Sequence, residues 1–268
     1  MARYKLTIEY DGSRYYGWQA QKGHRTVQGE FLTAFDRMFP GMKVDFYGAG
    51  RTDSGVHALA QVAHLEVREE MPPRKLQFRI NDLLPPDIHV LGAEKTPPRF
   101  HARHDAVARS YVYLVSKRRT AFNKPYCWWV KDDLDTGRMA EVAGLMAGRH
   151  DFRSFTDQLP SEGSTLVEVL FADIHENEDL IALHITGSHF LWKMVRRITG
   201  VVVEAGRRKL DAGQVVGFLE KSSPVPAQLT APPSGLFLHK VFYQGDPLLR
   251  GAEVLPRILN FAAFQPNI

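Results

Sequence analysis

The chain has 268 residues, room for one large domain or two of about 130 residues each, and either buries a core without help. Hydrophobic residues make 44% and charged residues 24% of it, ordinary globular values that exclude a disordered or fibrous protein. No apolar run approaches the ~20 residues of a membrane span, and the single cysteine, Cys127, excludes a disulfide framework, a CxxC zinc site and a cysteine-held iron-sulfur cluster.

Lys and Arg total 34 against 30 Asp and Glu, a net charge of +4 that favours an anionic partner. The basic groups cluster at Lys117-Arg118-Arg119, Arg196-Arg197 and Arg207-Arg208-Lys209. The first residues, Met1 to Ile8, carry no apolar signal core, so a cytoplasmic protein is expected.

Period-2 alternation predicts a strand over Arg3 to Tyr10, and a helix follows from Val27 to Phe39, capped by Thr26 and buried along Val27, Phe31, Phe35 and Met38. Strands are predicted at Lys43 to Tyr47 and Leu59 to Val67, a helix from Pro72-Pro73 through Leu84, and a strand at Ile88 to Glu94. The order is βαββαβ.

The same order recurs beyond it. A strand at Ala108 to Val115 precedes a helix at Thr136 to Met146, strands near Leu166 to Ile174 and Leu180 to Ile185, a helix from Phe190, and a last strand at Leu236 to Tyr243. The Phe190 helix turns Leu191, Met194, Val195, Ile198 and Val202 inward and leaves Lys193, Arg196 and Arg197 on or near another face. The expected fold class is therefore α+β, with two ferredoxin-like halves at 1–98 and 99–250 whose mixed or antiparallel sheets join around a basic central cleft. A tail, 251–268, has no assignment.

Gly48 to Ala58 links two strands and sets one carboxylate, Asp53, beside one guanidinium, Arg51, among glycines that let a ligand approach the backbone. Taken alone, an Asp in such a loop is ordinarily a turn residue bonded to its own backbone. Three ordered blocks change its weight: Tyr10-Asp11-Gly12-Ser13-Arg14-Tyr15-Tyr16-Gly17-Trp18-Gln19, Arg25-Thr26-Val27-Gln28 and Gly50-Arg51-Thr52-Asp53-Ser54-Gly55-Val56-His57-Ala58. Together with Asn81 to Ile88, Phe100 to Arg103, Arg109 to Tyr113, His150 to Phe152, Phe190 to Arg196 and Ala231 to Leu236, they resemble the TruA family of tRNA pseudouridine synthases over Arg3 to Tyr243.

The resemblance implies isomerisation of uridine to pseudouridine in the anticodon stem-loop of tRNA, at the family's target positions 38 to 40, with Asp53 as the catalytic carboxylate. No cofactor and no metal are implied, and a homodimer is. Asp53 would attack ribose C1′ or uracil C6, or act as a base at C2′. Arg51 is its expected counter-charge or a group that enters the RNA stem, Tyr111 matches the family's active-site tyrosine, and Arg196 matches the arginine of its Met-Val-Arg motif. Arg14, Lys117, Arg118, Arg119, Lys193 and Arg197 are candidates for contacts with the RNA. His101 and His104 lack the i, i+4 helical spacing of a metal pair.

Three departures from the family pattern stand out: no basic residue in Pro160 to Val169, Trp192-Lys193 in place of smaller or histidine-rich pairs, and Ser54 where alanine is usual. They leave the reaction and touch the choice of nucleotide. The rival expectation is a non-catalytic RNA-binding module using the same cleft, in which Asp53 has no chemical task. A nucleosidase is a weaker rival, since glycosidic chemistry ordinarily takes two carboxylates and the loop holds one.

Overall fold

A computed structural model describes residues 1–158, 161 and 163–248. The chain divides into two compact units: Met1–Val107 with Phe237–Asp246, and a second built on Ala108–Leu236. The break lies past the expected Thr96-Pro97-Pro98, because the segment after those prolines is bonded into the first unit. The Phe100 carbonyl accepts from Arg3 (2.8 Å), and the Ala102 N–H donates to His64 Nδ1 (3.1 Å).

The first unit runs β1 (Ala2–Tyr10), α1 (Val27–Met38), β2 (Asp45–Gly48), β3 (His57–Val67), α2 (Pro73–Asn81) and β4 (Ile88–Thr96). β1 pairs antiparallel with both β3 and β4, and β2 pairs antiparallel with β3, giving the order β4-β1-β3-β2 of a ferredoxin-like sheet. The alternation in β1 is realised: Tyr4, Leu6, Ile8 and Tyr10 are buried and the residues between them half-exposed. The Thr26 hydroxyl caps α1 by accepting from the Gly29 N–H (3.2 Å). Its buried Phe31 and Phe35 pack on Phe46 at 4.9 and 5.1 Å between ring centroids, and Trp18 joins at 5.9 Å. Each such ring contributes about 1.5–3 kcal/mol of burial, and the Trp18 ring of this core lies against Gly48 at the start of the loop.

The second unit holds β5 (Ala106–Ser116), β6 (Trp128–Trp129), α3 (Thr136–Gly144), β7 (Gly148–Asp151), β8 (Leu166–Glu176), β9 (Leu180–Gly187), α4 (Met194–Gly206), α5 (Ala212–Glu220) and α6 (Val225–Gln228). The sheet order is β5-β9-β8-β7, antiparallel throughout, with β6 added in parallel to the end of β5. β7, α5 and α6 were not anticipated. For α5 the signal was present, since Asp211 and Gln214 form a reciprocal capping box. Phe190 is not helical. α4 begins at Met194 because Lys193 takes a left-handed conformation (φ 62) at its N-cap.

The last strand, β10 (Leu236–Tyr243), pairs Phe237 and Leu238 in parallel with His57 and Ala58 of β3. The Phe237 ring stacks on His57 at 4.7 Å, and the Tyr243 hydroxyl donates to the Ala102 carbonyl (2.7 Å). The chemistry-bearing loop therefore enters a strand held along its first residues by the far end of the chain. Among the described residues no helix is long and apolar enough to cross a membrane. The 251–268 tail, and Pro160 and Glu162 of the divergent block, lie outside the described residues; Leu166 to Val169 of that block form the start of β8.

Candidate active site

Asp53 sits half-buried in the turn between β2 and β3. The turn closes on itself through the Val56 N–H, which donates to the Asp53 carbonyl (3.1 Å), and Gln61 Nε2 holds its first residues by donating to the Gly50 carbonyl (3.0 Å). The Asp53 backbone is thus fixed on both sides, which is what a group with one productive orientation needs.

Most of the restraint comes from the segment Tyr10 to Gln19. The Trp18 N–H donates to the Thr52 carbonyl (3.1 Å), and the Tyr10 hydroxyl lies 2.8 Å from Thr52 Oγ1 in a buried hydrogen bond. The Tyr15 carbonyl accepts from both the Gly55 N–H and the Ser54 hydroxyl, each at 3.2 Å. Ser54 thereby gains a bond that an alanine there lacks. Gly17 (φ +84) can hold its place only as glycine: a Cβ would overlap the Thr52 carbonyl oxygen and approach the Asp53 carbonyl carbon to 3.0 Å. Gly12 is equally close to the Val56 carbonyl, and its N–H donates to His57 Nδ1 (3.0 Å).

A further layer supports that segment. The Tyr15 hydroxyl donates to Asp87, whose backbone carbonyl accepts from the Asp11 N–H (3.0 Å), and the Arg25 guanidinium covers the Tyr15 ring at 4.6 Å. Burial, reinforced by the Asp87 carboxylate, pushes the Tyr15 phenol well above its ordinary range, so it stays a donor. Blocks that are far apart in sequence, Tyr10 to Gln19, Arg25 to Gln28, Gly50 to Ala58 and Asn81 to Ile88, are one bonded assembly. Nothing local in the sequence marks Asp87 and Tyr15 as supports, since they stand 72 residues apart.

Arg51, two residues from Asp53, is exposed, and among the described residues it makes no ion pair. The expected Arg51–Asp53 pair is absent from this structure; a long guanidinium in water gains little from a fixed surface pair. Arg14 is likewise exposed, at the end of a 3-10 turn, Gly12–Arg14.

In the second unit, Tyr111 is half-buried on β5 with Phe190 edge-on at 5.2 Å. Tyr113, two residues on, is fully buried and donates to the Pro232 carbonyl (2.7 Å), a packing role. Arg196 is half-buried on the first turn of α4. Its Nε donates to the Ala231 carbonyl (2.7 Å) and its own carbonyl accepts from the Ala231 N–H (3.1 Å), so the Ala231 to Leu236 block serves to orient it.

The remaining cations divide. Arg197, expected near a solvent face, has a side chain only 5% exposed and pairs with Asp157. Lys193 donates to the same carboxylate at 2.9 Å and lies over the exposed Trp192 ring at 4.3 Å. Hydrogen bonds from Lys193 and then Arg197 hold the Asp157 carboxyl below the usual carboxylate range. Lys117 pairs with Glu176 (2.6 Å), Arg118 with Asp179 (2.7 Å), and Arg119 covers the Trp129 ring at 5.6 Å. Of the candidates for RNA contact, Arg197 is the one whose enclosure argues for a structural task. His101 and His104 lie in a turn, where His101 Nδ1 accepts from the backbone N–H groups of Arg103 and His104.

The first unit thus has a ferredoxin-like sheet whose Asp53-bearing turn is bonded to neighbouring sequence blocks, and the second unit has a strand tyrosine, Tyr111, and a helix arginine, Arg196, bonded to Ala231. The family model described as tRNA pseudouridine synthase matches residues 6–105 and 142–244. tRNA pseudouridine synthase A of Thermoanaerobacter sp. (strain X514) is 38% identical over 91% of this chain and 100% of its own. That of Ruminiclostridium cellulolyticum is 36% identical over 91% and 100%, and that of Agrobacterium fabrum 38% identical over 91% and 93%. The chain belongs to the tRNA pseudouridine synthase family, and its TruA-like motifs are the marks of that membership.

Proposed function

We propose that this protein isomerises uridine to pseudouridine in tRNA, in the anticodon stem-loop, with Asp53 as the catalytic carboxylate. The observation that carries the assignment is the fixing of the turn around Asp53, at Thr52, Ser54 and Gly55, by Tyr10, Tyr15, Gly17 and Trp18 in a family-matched chain. A surface turn has no need of a buried Tyr10–Thr52 hydrogen bond or of a glycine pressed against its backbone. A preorganised acid group does.

The reaction breaks the N1 to C1′ bond, turns the uracil over and joins C5 to C1′; the proton leaves C5 and N1 regains one, so nothing is oxidised and no second substrate is consumed. Asp53 attacks C1′ or C6, or takes a proton from C2′. The uridine must leave the stack for any of these, and an extruded base needs a flat surface. Tyr111, half-buried with Phe190 against its edge, offers such a ring, and Arg196, oriented by Ala231, offers a cation suited to phosphate. Arg51 and Arg14 are exposed groups suited to the RNA backbone. A cytoplasmic homodimer is the working form this assignment implies, and light scattering of the purified protein tests the dimer.

Asp53→Asn is the decisive variant. It keeps the shape and one acceptor oxygen while losing the charge, so tRNA should bind with little change and form no pseudouridine. Pseudouridine at the wild-type rate would remove Asp53 from the chemistry and favour the binding-module alternative.

A further inference from the structure

One group of side chains outside the catalytic loop has ligand chemistry that the isomerisation does not use. Asp173 and His175 are two residues apart on β8 and so project from one face of the sheet. His184 on β9 is the cross-strand partner of Asp173, which places it on that same face, diagonal to His175. Ala182 stands opposite His175. Its lone methyl leaves the imidazole room to lean toward His184.

One ligand atom from each of Asp173, His175 and His184 lies within 4.8 Å of the other two. His184 is buried, whereas Asp173 and His175 are half-buried and reachable from solvent. Nε2 of His184 lies 2.8 Å from Ser110 Oγ and 3.4 Å from Thr186 Oγ1, which fixes the ring and turns Nδ1 to its opposite edge. An imidazole anchored through one nitrogen and presenting the other is the usual state of a metal-bound histidine. Among the described residues, His175 Nε2 is enclosed without a hydrogen-bond partner and Asp173 makes neither a hydrogen bond nor an ion pair. Enclosed polar atoms are nearly always bonded, so His175 Nε2, beside the Asp173 carboxylate and the His184 ring, calls for a further partner.

We propose that Asp173, His175 and His184 form a binding site for a divalent transition-metal ion of the Zn(II) type, which clips β8 to β9. Two imidazoles and one carboxylate are borderline donors that suit Zn(II) and disfavour Mg(II) or Ca(II), which take oxygen ligands. Bonds of about 2.1 Å set tetrahedral ligand atoms roughly 3.4 Å apart, so the three side chains close up by about an ångström when the ion enters. Water takes the fourth position.

Metal-stripped, full-length protein titrated with zinc chloride against a chromophoric chelator tests the site. One Zn(II) should bind per chain, Co(II) should give the intense visible absorption of four-coordinate geometry, and the thermal midpoint should rise with zinc. His175→Ala and Asp173→Asn, at half-exposed positions where folding is not at stake, should each weaken binding about ten-fold or more and abolish the midpoint shift. The double variant His101→Ala/His104→Ala, which removes other clustered imidazoles, should bind as the wild type does. Absence of zinc binding by the wild type overturns the proposal. So does binding that survives His175→Ala and Asp173→Asn, or that is lost in the His101/His104 variant.

Discussion

Gly17 and Thr52 meet backbone to backbone, with the Trp18 N–H bonded to the Thr52 carbonyl and no space between the two chains for a Cβ. Asp53, the next residue, inherits its position from that contact. The turn that bears the carboxylate is therefore placed by a glycine far upstream in the chain rather than by its own neighbours alone.

Gly17→Ala should displace the catalytic loop while leaving the aromatic core intact. Positive φ and overlap together cost about 1–3 kcal/mol, read as a lower urea midpoint. Pseudouridine formation should fall by at least ten-fold, because small misplacements of a reacting group are expensive. Wild-type kcat in a folded Gly17→Ala protein would show that the loop tolerates movement.

Arg51→Ala tests the exposed guanidinium that makes no ion pair among the described residues. Loss of one phosphate contact should weaken tRNA binding and reduce the slope of log K against log salt by about 0.7–0.9. An unchanged slope would take Arg51 off the RNA backbone.

Asp157 separates two superficially similar cations. Asp157→Ala strands the enclosed Arg197 and should cost about 3 kcal/mol in urea unfolding, whereas Lys193→Ala removes a partly exposed pair and should cost under about 1 kcal/mol. Because the native carboxyl titrates below its ordinary range, this stabilisation is present above the unfolded-state pKa and fades as pH falls through the native value. Equal costs for the two variants would contradict the asymmetry.

His64 gives the protein a second acid sensitivity. Burial, then the nearby His101 and Arg3, push its imidazole down to about 4, and its Nδ1 accepts the Ala102 N–H, a bond that protonation there would break. The unfolded chain takes up the proton near 6.5, before the native one does. Stability is therefore complete above that value and lost as pH falls from 6.5 toward 4, by roughly 3 kcal/mol. Unfolding midpoints measured across this window should fall in the wild type and flatten in His64→Gln.

The first unit was largely legible because its signals are local: the alternation in β1, the Thr26 cap, and Pro72-Pro73 ahead of α2. Asp53 is a candidate only through the company of its motifs, since a lone Asp among glycines has a commoner use. Arg197 was misplaced because helical periodicity counts an arginine as outward, and its carboxylate partner lies 40 residues upstream. The same limit hid Asp87 under Tyr15 and the convergence of His175 on His184. The start of α4 was shifted by the left-handed Lys193, for which nothing in Trp192-Lys193 gives warning.

The pairing of Phe237 and Leu238 with His57 and Ala58 makes the first unit discontinuous, with all of Ala108–Leu236 between its two pieces. During synthesis the loop that bears Asp53 leaves the ribosome long before the strand that flanks it. The unit's sheet can reach its final form only after nearly the whole chain has been translated, so a product that stops short of Phe237 carries every loop residue and lacks a flanking strand.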